Sequence, residues 1–551
     1  MRERNYWTHV FAKRLSRRQA LGTAARAGLG LAGLSLLGCA PGAAPGAPAA
    51  QLPEQITVAY IVDQINNDAH LDSTIMGVAV QDHIYDGLFK RSASLAIVPA
   101  LAESHRWLDD PKIWEVKLRK GIKFHNGEPM NAEVVKFNTE RQQNADFKPR
   151  YISDFKAIKK VEVVDEYTAR VYSEAPDPTM PLKYIQTGMV PMKYNQGPTG
   201  NKAQSDNPIG TGPYRYVKWF KDDRVEMERN DDWWGWQKGM PWEKAIKGPK
   251  KLIYRVIPQS AGRMAALKTG EADVIFGPAM EEIDAIKADP NFTFLPNKSG
   301  GSPHIILSVF DKKSPLQDKR VRQALNYAVD MDTIIKKIMK GNPERQASAV
   351  GSSYFGFDKD LKPYPYDPKK AKELLAQAGY ANGFEVVFDH NDPVCYPGGS
   401  EYVPAIAGYL ADVGVKAKLT PHAASLQFRE TSLAKKDGPY GLIESCRGTS
   451  TLDIDFIVNQ NIHSKGTRNH GYYNNPEVDK LIDQGRSTVK VEERKAIYKK
   501  LLTLIKDEAP WIFMFQVTYD FAYNKKKLPN FNPVMWMATF YNYGPEGDAK
   551  V

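Results

Sequence analysis

Between Gln55 and about Pro545, strand-like and helix-like stretches alternate, and no stretch repeats another. This alternation constrains the fold more than any other feature. A period-two strand and a 3.6-period helix each bury one apolar face only by packing in layers. "QITVAYIVD" (Gln55–Asp63) alternates, is rich in β-branched residues and reads as a strand. "AVQDHIYDGLFKR" reads as a helix ending near Gly87. "WEVKLR" (Trp114–Arg119) is a strand, "HNGEP" a turn, and Asn131 an N-cap with Glu133 in the first turn that follows. "AIKKVEVVDEYTARVYS" gives two strands around "DE", and Tyr214–Trp219 and Arg224–Arg229 give two more. "AGRMAALKTGEADV" is a helix with a Gly stop, followed by a strand. Asp318–Met339 reads as one long helical stretch and Asp367–Tyr380 as a short helix. "FEVVFDH" is a strand, and "AIAGYLADVGVKAKLT" is a helix and then a strand. The class is α/β with several sheets, and 551 residues imply two or three lobes.

The first 38 residues have a different composition. "LSRRQAL" carries a twin arginine, "AGLGLAGLSLL" (Ala27–Leu37) is an apolar run too short to span a bilayer, and "LLGC" ends at Cys39. The order resembles a bacterial lipoprotein signal of the Tat type, which implies cleavage before Cys39 and lipidation of its thiol. "APGAAPGAPAAQLPEQ" then reads as a flexible tether. The expectation is an extracytoplasmic body held to the cell membrane by one lipid anchor. Cys395 and Cys446 are the other two cysteines. They either bridge in an oxidising compartment or stay as buried free thiols, and the reading leans to free thiols.

Charge excludes one class of partner. The formal charge is +11, of which +6 lies in residues 1–38, so the remainder is near +5. No basic run interleaved with aromatics stands out, so nucleic acid is not expected as a partner. There is no G-x-x-x-x-G-K-[ST] loop and no H-E-x-x-H, and no paired histidines share a helix face. His463 and His470 read as members of a solvated loop. No metal, cofactor or catalytic set is expected.

Seven blocks recur in an order found in one family: "LAESHRWLDDPKIWEVKLRKGIKFHNGEPMNAEVVKF" (Leu101–Phe137), "PIGTGPYRYVKW", "RNDDWWG", "RMAALKTGEADV", "DKRVRQALNYAVD", "YDPKKAKELLAQAGY" and "YNNPEVDKLI". Across almost all of the body the chain resembles family 5 of the bacterial extracellular solute-binding proteins, the oligopeptide, dipeptide and nickel binders of ABC importers. The resemblance implies a type II periplasmic-binding-protein-like clamshell: two lobes joined by a two-crossing hinge, plus an extra α/β domain. Lobe I would comprise 55–87, 206–302 and 510–551, the extra domain 88–205, and lobe II 303–509. It also implies a monomer that captures a peptide or peptide-like solute between the lobes, closes, and delivers it to an ABC permease with its ATPase.

Three stretches are candidates to line the cleft: Val62–Asp72, with Asp63 and Asn66; Gly300–Asp311, with Gly301 and His304; and the segment after "GLIES", with Arg447, Thr449, Ser450, Thr451 and Asp453. Gly300 and Gly301 permit close backbone approach and unusual φ. Each polar residue taken singly can equally be turn or strand-end chemistry. In peptide-binding relatives an aspartate holds the ligand ammonium. Here that position falls at about Thr449, with Arg447 two residues before it. Arg447 and the hydroxyls suit an anionic or hydroxyl-rich solute such as an oligosaccharide, or Arg447 pairs internally with Asp453 or Asp455. Two other readings remain: a surface enzyme using Asp453 and Asp455 as a metal-binding D-x-D, and a sensor that presents its closed form to a receptor.

Overall fold

In the computed structural model, the described residues are 53–540, apart from 93, 198–199, 243–244, 246, 299, 392–397, 423–440, 450, 530 and 536. Three sheets organise them. A seven-stranded sheet runs in the order 292–298, 518–524, 274–276, 55–60, 251–256, 224–229, 214–220. Its centre is parallel, since Gln55–Tyr60 pairs in parallel with 251–256 and with 274–276. All but the first residue of that strand are buried, as expected of a strand covered on both faces. A five-stranded sheet runs 415–422, 384–391, 442–447, 302–307, 511–513. Its strand Ser302–Leu307 is buried throughout. A four-stranded antiparallel sheet is built from 102–107, 113–118, 168–173 and 158–165.

Local chemistry explains most element ends. Asn131 caps the helix Ala132–Gln143 by accepting from the Val134 amide, and Asp367 caps Pro368–Gln377 through the Lys370 amide. The helix Ser260–Thr269 stops at Gly270 with φ 79°. Two expectations fail at helix ends. The stretch 318–339 is two helices, Lys319–Ala328 and Met331–Lys337, because Asp330 leaves the helical conformation and caps the second one at the Thr333 amide. The helix expected to reach Gly87 ends at Ile84, and Phe89–Arg91 is instead a strand that pairs with Ile97–Pro99.

The tryptophans belong mostly to the core. Trp233, Trp234 and Trp242 are buried together beside the four-stranded sheet, where Trp114 stacks on Tyr184. Buried Asp86 ties this cluster down by accepting from Thr211 Oγ1 (3.0 Å), Trp233 Nε1 (3.2 Å) and Trp234 Nε1 (2.8 Å).

The chain passes from the seven- to the five-stranded sheet between Lys298 and Ser302 and returns between Phe513 and Thr518. The two passages lie side by side, since the Val517 amide donates to Gly301 O at 3.0 Å. At Gly300 the need is for close approach: a Cβ there would lie 2.4 Å from the Thr449 carbonyl oxygen. Gly300→Ala must therefore push the passage away from the 448–452 loop. The expected loss is about 1–3 kcal/mol in urea unfolding. An unchanged midpoint would mean that the two segments are not held together.

Candidate solute-binding cleft

The three stretches singled out in the sequence meet different fates. In the loop after the first strand, the carboxylates mostly organise the loop itself. Asp63 accepts from the Gln64 amide (2.8 Å), the Asp222 amide (2.7 Å) and Trp219 Nε1 (3.1 Å). Asn66 accepts from the Asp68 amide, and Asp72 from the amides of Ile65, Asn66 and Thr74. Asp68, fully buried, forms a two-pronged pair with Arg141 at 2.6 and 3.1 Å. Arg141 also donates to His70 Nδ1 (2.8 Å), and His70 Nε2 donates to Gly188 O (3.1 Å). Burial, reinforced by Arg141, lowers the His70 pKa to about 3, so the ring is neutral.

At the passage between sheets, Gly301 is buried and is occupied by its bond from Val517. His304 is stacked on Trp511 at 3.8 Å, and its Nδ1 donates to Ser302 O at 3.2 Å. Burial first, and Arg447 second, lower its pKa to about 3. It stands within the packed sheet and lines neither cavity described below.

In the third stretch, Arg447 donates through Nε to Asn461 Oδ1 (2.7 Å) and through Nη1 to Cys446 O (2.9 Å). The cation on Asp453 is Arg494, not Arg447, at 2.6 and 2.8 Å. Asp453 also caps the helix Ile454–Asn461. Thr449 and Thr451 bond to each other through their hydroxyls at 2.8 Å, while Ser450 lies outside the described residues. Cys446 is disulfide-bonded, which overturns the free-thiol reading. Neither of the other two cysteines, Cys39 and Cys395, is among the described residues. His463 is buried rather than solvated, with Asp479 and Asp483 at 3.8 and 3.5 Å.

What the sequence reading missed is Arg91. From the hairpin Phe89–Pro99 its Nη2 donates to the Thr451 carbonyl, so it ties the hairpin to the 449–453 loop. Burial pushes its pKa down to about 10, against the opposing pull of Asp453. Leu95, at the hairpin tip with φ 70°, packs on the apolar cluster that includes Leu452 and Ile454. A cavity lies on each side of Arg91. The larger, of about 640 Å³, is lined by Phe89, Ile97, Trp107, Tyr354, Thr451 and Arg494 among others. The smaller, of about 80 Å³, is bounded by Ala69, Tyr85, Arg150, Ile185, Met535 and Met537 with Arg91 itself. Thr451 and Asp453 are thus the sequence candidates that reach a cavity; the larger cavity lies between 89–107, 178–182 and the 352–355 and 451–453 segments, and the smaller between 69–91, 150–188 and Met535 and Met537. Arg91 follows the expected helix end near Gly87, in "LFKRSAS", where nothing in the local sequence marks a binding residue.

This architecture has known counterparts. The family described as bacterial extracellular solute-binding proteins, family 5, middle, matches residues 96–469. The chain belongs to that family. It is a substrate-binding protein of the ABC-importer kind, working with permease components. The binding protein is 29% identical over 459 residues to the glutathione-binding protein GsiB of Pectobacterium atrosepticum, covering 82% of this chain and 86% of that one. It shares its fold with HbpA2 of Haemophilus parasuis, at a TM-score of 0.77 and 23% identity over 88% of this chain and 99% of the other. It also shares its fold with the periplasmic binding protein DppA of Helicobacter pylori solved with the peptide STSA, at a TM-score of 0.67 and 24% identity over 89% and 97%. The fold is that of the type II periplasmic binding proteins. No helix among the described residues is long and apolar enough to cross a membrane.

Proposed function

We propose that the protein captures a peptide or peptide-like solute at the two cavities flanking Arg91 and presents it, enclosed, to the permease. The observation that carries this reading is the reach of Arg91 across the cleft: one side chain borders both cavities and bonds to the loop opposite. Closing around a solute gains contacts that the open form lacks, and those contacts supply the affinity. Peptide chemistry is favoured by the glutathione-binding relative, glutathione being a tripeptide, and by the peptide seen in DppA.

In this reading lobe I is 55–87, 206–302 and 510–551, with the seven-stranded sheet, 88–205 is the extra domain, with the four-stranded sheet, and lobe II is 303–509, whose five-stranded sheet takes its edge strand 511–513 from the returning segment. Cys39 carries the lipid anchor, and a monomer works on the outer side of the cytoplasmic membrane. The D-x-D enzyme reading loses ground, because both Asp453 oxygens are engaged by Arg494. Mass spectrometry of natively purified protein should reveal a retained solute. Stripping that solute should increase the radius of gyration in solution scattering, and adding it back should reverse the change. An identical shape with and without solute would sink the clamshell mechanism.

A further inference from the structure

Arg150 follows the helix Ala132–Gln143 and directly precedes Tyr151, over whose ring its guanidinium lies at 4.3 Å. Its backbone amide is anchored to His70 O at 2.9 Å. The side chain is poorly matched by the protein around it. Nη2 makes a long contact to Gln186 O at 3.4 Å, while Nε and Nη1 are shielded from solvent and have no hydrogen-bond partner among the described residues. Buried guanidinium N–H groups are ordinarily satisfied, so two open ones on one side chain require an account.

The nearby carboxylates do not supply it. Asp68 is taken by Arg141, and Asp72 by three backbone amides. Across the same small cavity Arg91 Nε is likewise buried without a partner. Lys90 also borders the cavity, but Asp86 at 3.1 Å and Asp82 at 3.6 Å balance it. The remaining wall is largely apolar, with Tyr85, Ile185, Met535 and Met537. The wall also carries Gln81, Gln186 and Asp82, whose Oδ2 is buried without a hydrogen-bond partner among the described residues, so two open guanidinium faces stand against one open carboxylate oxygen and the cationic donors are in excess.

We infer that Arg150, assisted by Arg91, is a carboxylate-binding subsite that holds a terminal or side-chain carboxylate of the solute. The planar guanidinium fork matches a carboxylate through two parallel bonds, and the apolar wall suits the carbon skeleton behind it. The inference rests on the reading that the solute binds at these cavities. It also moves anion recognition from Arg447, whose donors meet Asn461 and Cys446 O, to a different part of the chain.

The test uses calorimetry with a set of di- and tripeptides, each as free acid and as C-terminal amide, with glutathione paired with its diethyl ester. Wild type should prefer the acid by roughly 10- to 100-fold, the worth of a hydrogen-bonded charge. In Arg150→Gln the acid and neutral forms should bind alike, and Arg150→Lys should restore part of the preference. Inorganic phosphate at equal concentration should not compete. The subsite is overturned by equal binding of acid and amide to wild type, by an acid preference that survives in Arg150→Gln, by phosphate competition, or by no acid in the set binding. The amide comparison on wild type decides the matter even if the variants do not fold. Retained solute and compaction report on the cleft separately: compaction around a solute without a carboxylate would leave the cleft reading standing and remove the subsite.

Discussion

Arg494→Leu is expected to lose about 3–5 kcal/mol of stability in urea unfolding, the usual cost of stranding one member of a buried ion pair. Arg494 and Asp453 are each 3% exposed, and their two-pronged contact is 2.6 and 2.8 Å. Arg494 also donates to Gly485 O (2.8 Å) and the Tyr498 hydroxyl (2.9 Å), and lies 4.9 Å from the centroids of both the Phe355 and Tyr498 rings. Burial alone would depress its pKa, but Asp453 outweighs burial and holds it above the usual arginine value. Without Arg494, Asp453 would face Asp455, whose carboxyl burial has already pushed up to about 7 despite Arg486 at 3.2 Å. Asp453 also starts the helix Ile454–Asn461, and the 451–453 segment lines the larger cavity. Solute affinity should therefore fall along with stability. Asp453→Asn combined with Arg494→Leu should recover part of the loss, because no buried charge is then left alone. A double variant no more stable than Arg494→Leu would mean that the other Arg494 contacts carry the effect.

Mild acid is expected to destabilise the protein steeply between pH 6.5 and pH 4. His70, His83 and His304 are fully or almost fully buried, and burial lowers them to about 3, 4 and 3. His125, bonded to Gly212 O, is lowered to about 4. Below pH 6.5 the unfolded chain takes up protons at these four positions while the folded protein does not. Their contribution is present above pH 6.5 and is lost as pH falls toward their folded values. Asp455, raised to about 7, and Asp520, raised to about 6, both chiefly by burial, act in the opposite sense. The folded state protonates them first, so their contribution is present at low pH and lost as pH rises through 6 to 7. Four groups against two leave a net loss on the order of 2 kcal/mol per pH unit on acidification. Thermal melts in matched ionic strength read it directly, and a midpoint at pH 4.5 equal to that at pH 6.5 would refute it.

The sequence discloses what is local. Asn131 and Asp367 announce helix starts within four residues, Gly270 announces a stop, and the strands 158–165 and 168–173 follow from alternation around one turn. The break at Asp330 was legible too, since an aspartate followed three residues later by Thr333 can cap, but an apolar period running through it concealed the signal. The site was less legible because its partners are distant. Asp453 and Arg494 are 41 residues apart, Asp68 and Arg141 73, and Arg91 and Thr451 360. A charged residue in a window of sequence does not reveal which opposite charge the fold will bring to it, so nothing local distinguishes Arg447 from Arg494 or Arg150.

The seventh strand of the largest sheet has a consequence for how the molecule is born. Thr518–Asn524 lies inside that sheet, between Phe292–Lys298 and Val274–Phe276, while its other strands all precede residue 299. A growing chain emerging from the ribosome has the rest of that sheet for more than two hundred residues before the missing piece arrives. Until then two strand edges stay open to a wrong neighbour. The four-stranded sheet, complete by Ser173, has no such wait. Synthesis therefore supplies all strands of the four-stranded sheet first and the last strand of the largest sheet at the end, and that last pairing is long-range, a kind that is inherently slow.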